Sequence, residues 1–278
     1  MPAIKLAVVA DIHHGRDTRT KRGSAALSML HGFVDTTKAD KVDAVIDLGD
    51  RISDESAERD RILQDEVASE FARLEVPVHH LDGNHDVAKL TPSERLGGPA
   101  LSRTVELGDL RLVLWQPNVR LVREHGLRLA AGDLDWLSHT LGKDPRRTLL
   151  FSHVPLSGHP QTGNYYFEHC PDRATYLDDL PPIRRVLAEA PCPLACFAGH
   201  VHWNTLTVVD GIPHVTLQAL TETFTTGEPA GCTALLTVHD EELEWSVSGL
   251  DPIALRLAFP RLRRRWLAGA GAALRPTA

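Results

Sequence analysis

The 278-residue sequence lacks several features that would restrict its class of function. No apolar run reaches the length of about 18 residues that a membrane-spanning helix needs, so we expect no membrane span. The apolar stretch at residues 4–10 is too short for a secretory signal and is followed at once by Asp11, so we expect a cytoplasmic protein. No linker rich in glycine, serine or proline divides the chain, and no internal repeat is present.

The sequence also lacks an excess of positive charge and cysteines at paired, metal-binding spacing. The formal net charge is −7 at pH 7, so the chain as a whole does not attract nucleic acid or an anionic membrane. This charge argues against a general DNA- or RNA-binding role. The cysteines lack zinc-finger spacing, and in a cytoplasmic protein we expect free thiols. They are Cys170, Cys192, Cys196 and Cys232.

The C-terminal end differs in composition from the rest of the chain. Arginines are interleaved there with apolar side chains, as in a basic amphipathic segment. The sequence therefore predicts one domain over residues 1–253 and a basic tail over 254–278. The tail either packs on the domain as a peripheral helix, which we favour, or contacts a membrane or a partner.

Strand and helix patterns alternate over the first 85 residues. Continuous apolar runs predict buried strands, and apolar residues at helical spacing predict helices between them. The strands are expected at 4–10, 44–47 and 76–81, and the helices at 24–38 and 58–74. Helical crossovers of this kind make parallel sheets, in which functional groups gather at the carboxyl ends of the strands.

The second half of the chain is richer in hairpin signals. Gly108-Asp109 and Asp210-Gly211 each separate two strand-like runs. Further strands are expected at 147–151 and 194–198, separated by a long loop over 152–180 and a helix. Two packed sheets with helices on the outer faces would satisfy both halves.

Residues able to bind metal follow five of the predicted strands. In chain order they are Asp11 and His13, Asp50, Asn84 and His85, His153, and His200 and His202. Residues i and i+2 of an extended segment point the same way, so each Asp-x-His or His-x-His pair is expected to face one ion. Carboxylate, amide and imidazole ligands without thiolate suit Mn²⁺, Fe or Zn²⁺. Each motif alone is weak, whereas chance does not place all five in order at strand ends.

This series of motifs resembles the calcineurin-like metallophosphoesterase superfamily. The motifs are Asp11-x-His13, Gly49-Asp50, Gly83-Asn84-His85-Asp86, His153 and Gly199-His200-x-His202. They look most similar to those of the bacterial class III cyclic-nucleotide phosphodiesterase and glycerophosphodiesterase group. The arginine-containing extensions of the protein Ser/Thr phosphatases are not seen. The resemblance implies a four-layer α/β/β/α sandwich of two mixed sheets, with a dinuclear metal site between the sheets.

The resemblance also implies a role for each motif residue. One metal ion would be held by Asp11, His13 and His202, the other by Asn84, His153 and His200, and Asp50 would bridge both. The ions would be divalent or mixed-valence Mn, Fe or Zn. His85 would lie beside them as proton donor to the leaving alcohol, and Asp86 would orient it. The implied reaction is direct attack on phosphorus by a hydroxide that bridges the ions.

Four further residues are candidates for substrate binding. His14 follows the first motif directly, and Arg51 either clamps a phosphate or pairs on the surface with Asp54 or Glu55. Tyr165 and Tyr166 lie in the long loop and either cover the substrate or anchor the loop to the body.

Three classes of function remain open at this point. The leading one is a phosphodiesterase acting on a small molecule, such as a cyclic nucleotide or a glycerophosphodiester. The second is a nucleotide-pyrophosphate hydrolase, a phosphomonoesterase or a nuclease on the same site. The third, a catalytically silent interaction protein, is disfavoured because every ligand residue and His85 are present. The expected partner is a small phosphoester rather than nucleic acid, and a homo-oligomer remains open.

Overall fold

Two six-stranded sheets form the centre of the computed structural model, which describes residues 3–96, 98, 101–122 and 124–261. The strands are β1 (Ile4–Val9), β2 (Ala44–Asp47), β3 (Val78–His80), β4 (Arg103–Leu107), β5 (Leu110–Leu114), β6 (Thr148–Phe151), β7 (Leu194–Ala198), β8 (Thr205–Val209), β9 (Ile212–Thr216), β10 (Thr233–Val238), β11 (Glu242–Ser248) and β12 (Ile253–Ala258). The helices are α1 (Ala26–Asp40), α2 (Ala57–Phe71), α3 (Asp86–Lys89), α4 (Asp133–Gly142), α5 (Pro171–Ala174) and α6 (Leu180–Glu189).

Strand order brings the ends of the parallel strands together. The first sheet runs β12-β11-β10-β1-β2-β3, in which β1, β2 and β3 are parallel neighbours. The second runs β4-β5-β6-β7-β9-β8, in which β5, β6, β7 and β9 are parallel neighbours. Both sheets are mixed, because antiparallel strands complete each of them.

The helices and the two sheets form four layers, and an apolar core lies between each pair of neighbouring layers. The central core lies between the sheets and includes Leu6, Phe151 and Trp245. A second packs α1 and α2 on the first sheet, and a third packs α4 and α6 on the second sheet. The α/β/β/α sandwich predicted from the sequence is therefore confirmed.

Some predicted element boundaries need correction. Ser24 does not cap the first helix, because its hydroxyl and amide both donate to Asp17 and a short 3₁₀ turn, Gly23–Ala25, precedes α1. The second helix is capped instead by Ser56, whose hydroxyl accepts from the amide of Arg59 at 3.1 Å. The long 152–180 loop contains α5 and a 3₁₀ turn, Leu177–Asp179.

The start of the predicted C-terminal tail is a strand rather than a helix. β12 pairs antiparallel with β11 and alternates half-buried with exposed positions, which is the two-residue period of a strand. Arg256 of this strand points outward and pairs with Glu244 at 2.6 Å. Residues 262–278 lie outside the described residues, so the division of the chain at residue 253 stays a prediction.

Two other sequence expectations concern membrane spans and cysteines. Among the described residues, the structure contains no helix that is both long and apolar enough to cross a membrane. All four cysteines are free thiols.

His214 on β9 makes stability depend on pH. It is 5% exposed, and burial with a contribution from Arg184 lowers the pKa of His214 from 6.5 to about 4. The unfolded chain therefore binds the extra proton between these two values, and stability falls as pH drops from 6.5 towards 4. Across that window we expect His214 to cost the wild type about 3 kcal/mol in the free energy of unfolding, and His214→Gln should lack this loss. Urea unfolding of both proteins at several pH values tests this, and identical pH dependence would contradict it.

Candidate dinuclear metal site

Five loops at the carboxyl ends of parallel strands bring all the predicted ligand residues together. The loops follow β1, β2 and β3 in one sheet and β6 and β7 in the other. The candidate ligand atoms form two sets, and within each set all atoms lie within 4.8 Å of one another. Asp50 belongs to both sets. One set comprises Asp11, His13, Asp50 and His202, and the other comprises Asp50, His153 and His200. The amide oxygen of Asn84 lies 3.4 Å from Nε2 of His153, beside the second set.

The ligand loops have an unusual backbone. Seven of the nine non-glycine residues with positive φ among the described residues lie here, namely Asp11, His13, Arg19, Asp50, Asp54, His200 and His202. The expectation that the Asp-x-His and His-x-His pairs are extended is therefore wrong. Asp11 and His13 still share one set, but His200 and His202 belong to different sets and so do not face one ion as a pair. Left-handed residues of this kind cost free energy and persist where surrounding structure enforces them, typically at functional sites.

Glycine permits the close approach of two of these loops. Gly49 has a φ of +95°, and a Cβ there would lie 2.5 Å from the amide nitrogen of Gly83. A Cβ on Gly83 would lie 2.1 Å from Oδ1 of Asp50. Only residues without a side chain fit at these two positions, so the glycines of both motifs set the position of Asp50.

The donor set fits bound cations. Oδ1 of Asp11 is buried and has no hydrogen-bond partner, although such atoms are almost always satisfied. Oδ1 of Asp11 lies 3.5 Å from Nε2 of His202. Nε2 of His202 in turn lies 3.0 Å from Nε2 of His13. A cation among these atoms would satisfy the carboxylate oxygen and both imidazole lone pairs.

The remaining ring nitrogens of three histidines are held from behind. Nδ1 of His153 donates to the carbonyl of Leu48 at 2.9 Å, and Nε2 of His200 donates to the carbonyl of Arg173 at 2.7 Å. Nδ1 of His202 lies 2.9 Å from the buried carboxylate of Glu222. Such partners fix the tautomer and turn the other nitrogen of each ring towards the ligand cluster. The sequence analysis missed Glu222, which belongs to no motif.

The central carboxylate is held in its ionised form. Burial alone would raise the pKa of Asp50, but the neighbouring His153 and His85 hold it well below its ordinary value. Burial likewise opposes the charge on His153, yet Asp50 raises the pKa of His153 to about 9. A permanently charged Asp50 is suited to bridge two cations.

His85 is oriented by Asp54 rather than by Asp86. Nδ1 of His85 lies 3.0 Å from Oδ2 of Asp54, while its Nε2 lies 4.0 Å from Oδ2 of Asp50 on the side of the ligands. The prediction that Asp86 orients His85 is therefore wrong. Asp54 lies in the same loop as Asp50, four residues further on, so its position after the second motif was the available signal.

Asp86 instead ties the second and third motif loops together. Its buried carboxylate accepts hydrogen bonds from the backbone amides of Asp50, Arg51 and Gly83, at 2.8–3.0 Å. The bridging aspartate and the Gly83-Asn84-His85 loop thus share one anchor. Asp86 positions ligands and does not face the cleft.

Arg51 is a buried structural residue and not a phosphate clamp. Its guanidinium is completely buried and contacts Asp47 at 2.9 Å, Asp82 at 2.6 Å and Asp86 at 3.5 Å. Burial opposes its charge, but these three carboxylates hold the pKa of Arg51 above its ordinary value. The expected surface pair with Asp54 or Glu55 is also wrong, because the side chain points into the core behind the ligand loops.

Removing this buried cation should destabilise the protein strongly. Arg51→Met removes the cation that contacts all three buried carboxylates, of which Asp82 alone keeps another arginine partner, Arg95. We expect a loss of about 3–5 kcal/mol in the free energy of unfolding. Urea denaturation of the metal-free protein measures it. Arg59→Met, at an exposed position of α2, is the matched control and should change stability by less than about 0.5 kcal/mol. A loss below about 1 kcal/mol for Arg51→Met would show that the carboxylates do not depend on it.

The other candidates for substrate binding divide between the cleft and the body. His14 is buried and bonds Glu66 at 2.7 Å, so it does not line the cleft. Tyr165 is 56% exposed and also lies outside the lining. Tyr166 lines the cleft with Phe167, and its hydroxyl lies 2.7 Å from that of Thr20. The rings of Tyr166 and His202 are 5.4 Å apart, so this tyrosine both anchors the loop and borders the ligands.

A cleft of about 350 Å³ opens over the ligand cluster, which is the size of a small-molecule site. Asp50, Asn84, His85, His200 and His202 form its floor. Four cationic side chains that the sequence analysis missed also line it, namely Arg16, Arg19, Lys21 and Arg173. Lys21 is buried with its Nζ 3.5 Å from Nδ1 of His13, and burial lowers the pKa of Lys21 against the opposing effect of Asp50.

A two-sheet sandwich with an Asp/His/Asn cluster at its strand ends defines a metallophosphoesterase. The sequence matches the calcineurin-like phosphoesterase family over residues 4–204, most of the chain, and the protein belongs to that family. No curated protein matches it. The closer likeness to the bacterial class III group stays a prediction.

Solved structures share the same fold at low sequence identity. A dimetal phosphatase from Danio rerio has 17% identity and a TM-score of 0.75, covering 92% of this chain and 99% of its own. Purple acid phosphatase from yellow lupin seeds has 11% identity and a TM-score of 0.64, covering 92% of this chain and 54% of its own. An anchor protein of the Plasmodium inner membrane complex has 10% identity and a TM-score of 0.59, covering 95% of this chain and 90% of its own. At these identities the likeness concerns the fold.

Proposed function

We propose that this protein is a metal-dependent phosphodiesterase acting on a small molecule. The observation that carries the proposal is the cluster of seven predicted ligand residues, with Asp50 common to both sets, of which four line an open cleft. Two bound divalent ions would supply Lewis acidity, which activates water at neutral pH and neutralises charge on phosphoryl oxygens. We propose Mn, Fe or Zn as the metals on the ligand types.

The residues of the chain would divide the remaining work. His85 lies beside the ligands without belonging to either set, and Asp54 fixes the direction of its ring. From this position Nε2 can donate a proton to the leaving oxygen of a bound ester. Tyr166 and Phe167 form one wall of the cleft and would exclude water from one side of the substrate.

The resemblance of the motifs favours a cyclic nucleotide or a glycerophosphodiester as substrate. A nucleotide-pyrophosphate hydrolase is the second candidate, because the cleft carries more cationic side chains than a single phosphodiester requires. Fold alone does not choose between them, since one fold serves many substrates. A nuclease is less suited to a chain with net charge −7. Cytoplasmic location and oligomeric state stay predictions.

The test compares a diester with a monoester carrying the same leaving group. Metal-stripped protein is assayed on bis(p-nitrophenyl) phosphate and on p-nitrophenyl phosphate, with and without added Mn²⁺. We expect Mn²⁺-dependent cleavage of the diester, faster by about tenfold or more than that of the monoester, because the diester has the charge and substituents of the proposed substrate. Cleavage of the monoester alone would make the protein a phosphomonoesterase.

A further inference from the structure

The cleft contains cations that form no close ion pair with a carboxylate of the protein. Among the described residues, Arg16, Arg19, Lys21 and Arg173 have no carboxylate within 4.0 Å of their side-chain nitrogens. Ten other described arginines do have such partners, and they are Arg51, Arg61, Arg73, Arg95, Arg111, Arg128, Arg146, Arg147, Arg256 and Arg261. Six described arginines outside the cleft also lack one, so what distinguishes the cleft is that four unpaired cations line one cavity. Unpaired cations gathered in a concave site of an acidic protein indicate an anionic ligand.

These cations adjoin both ligand sets. Arg16, Arg19 and Lys21 belong to the loop after β1, and Lys21 reaches His13 of the first set. Arg173 lies on α5, and its backbone carbonyl accepts from His200 of the second set. An anionic group bound by them would therefore lie next to the phosphoryl group that the ligand cluster binds.

A substrate with one phosphoryl group does not account for this charge. A phosphodiester carries one negative charge, which two divalent ions already balance. Four further cations line the same cleft with the carboxylates of Asp50 and Asp54. Asp11 and Glu222 also act on Lys21, whereas Arg16, Arg19 and Arg173 have no carboxylate within 4.0 Å. Arginine presents a planar fork of donors that matches phosphate oxygens, and each charge-assisted hydrogen bond to phosphate is stronger than a neutral one.

We propose that the substrate carries a second phosphoryl group joined directly to the first, as in an ester of a nucleoside diphosphate, and that Arg16, Arg19 and Arg173 bind this second group. The inference rests on the proposed hydrolytic function, and among its candidate substrates it selects the diphosphate ester over the cyclic nucleotide and the glycerophosphodiester that the motifs favour. Tyr166, Phe167 and Leu121 in the same cleft supply an apolar surface for the organic part of such a molecule.

The reaction of such a substrate balances with water alone. The oxygen of water forms a bond to one phosphorus, and the bond from that phosphorus to the bridging oxygen breaks. The electron pair of that bond stays on the bridging oxygen, which leaves as part of a phosphate monoester. The two protons of water end on the two phosphate monoesters or in solution. The arginines would stabilise the negative charge that develops on the departing phosphate.

A matched pair of substrates tests the proposal. The methyl ester of adenosine 5′-monophosphate and the β-methyl ester of adenosine 5′-diphosphate differ by one phosphoryl group. With Mn²⁺-loaded protein, we expect kcat/KM for the second to exceed that for the first by about tenfold or more, because it engages the arginines and because phosphate is a better leaving group than an alkoxide. The arginine variants below separate these two contributions. The products of the diphosphate ester should be adenosine monophosphate and methyl phosphate, which chromatography separates.

Three variants connect the preference to the cleft. Arg16→Gln, Arg173→Gln and Arg19→Asn each remove one cation, and asparagine suits the φ of +51° at position 19. Each should lower kcat/KM for the diphosphate ester by about 10- to 100-fold and for the monophosphate ester by less than about threefold. Arg185→Gln, at an exposed position of α6 outside the cleft, is the control and should change neither. Lys21 is left unchanged because it contacts His13.

Different failures have different meanings. Equal kcat/KM for the two esters, or equal losses on both in the arginine variants, would overturn the assignment of a second phosphoryl group while leaving hydrolysis intact. No turnover of either ester or of bis(p-nitrophenyl) phosphate would overturn the proposed function. Calorimetric binding of the α,β-methylene analogue of the diphosphate ester separates the two cases. Arginine-dependent binding would support the recognition site, and binding unchanged by the three variants would overturn it.

Discussion

Asp50→Ala is expected to abolish both metal binding and hydrolysis. Oδ2 of Asp50 lies 3.4 Å from Nε2 of His153 and 3.8 Å from Nε2 of His13, so its loss removes a ligand from both sets. We expect metal content to fall towards zero and kcat/KM on bis(p-nitrophenyl) phosphate to drop by more than about 10³-fold, because Lewis-acid catalysis contributes several kcal/mol. Elemental analysis after dialysis and the steady-state assay measure the two effects.

The control separates ligand loss from misfolding. Asp135→Ala removes an exposed carboxylate of α4 and should retain both metal and activity. The thermal midpoint of metal-free Asp50→Ala should stay within a few degrees of that of the metal-free wild type. An Asp50→Ala protein that keeps two ions per chain would refute the bridging role.

His85→Ala is expected to lose activity while it keeps its metal. His85 belongs to neither ligand set, and its Nε2 is on the side of Asp50. Loss of a positioned proton donor should lower kcat by about 10²–10⁴-fold. His139→Ala, an exposed histidine of α4, is the matched control and should behave as wild type. Full activity of His85→Ala would exclude the acid role, and loss of its metal would make His85 a ligand.

Asp54→Asn tests which aspartate serves His85. The substitution keeps the shape of the side chain but removes the charge that faces Nδ1 of His85. We expect a loss of about 10- to 100-fold in kcat with metal content unchanged, as for other partners that orient a functional side chain. The combined variant with His85→Ala should be no slower than His85→Ala alone, because Asp54 acts through the histidine. Additive losses would show an independent role for Asp54.

The candidate ligand residues were predictable because each follows a strand that the hydrophobic pattern reveals. Parallel strands direct their carboxyl ends to one edge, so the order of the motifs along the chain was enough to bring Asp11, Asp50 and His153 together. The change from crossover helices to hairpins was compatible with two packed sheets, and the resemblance of the motifs implied the four-layer sandwich. The left-handed backbone at Asp11 and His13 was not predictable, because it depends on contacts between loops that lie far apart in sequence.

The partners of the ligands required the folded structure. Asp86 follows His85 in sequence, yet its carboxylate turns back to three backbone amides, and Asp54 reaches His85 from another loop. Arg51 looked like a surface residue because it lies among charged neighbours, whereas three aspartates far apart in sequence surround it in the core. Three cations of the cleft come from the loop after β1 and the fourth from α5, a helix of four residues, so no periodic pattern marked them.

Titration of metal-free protein with Mn²⁺ tests the dinuclear centre most directly. Bound metal and hydrolysis of bis(p-nitrophenyl) phosphate are measured on the same samples. We predict that activity rises in step with binding and saturates at two ions per chain, because Asp50 joins two ligand sets that both contribute to catalysis. Saturation of activity at one ion per chain, or full activity in metal-free protein, would contradict a two-metal site.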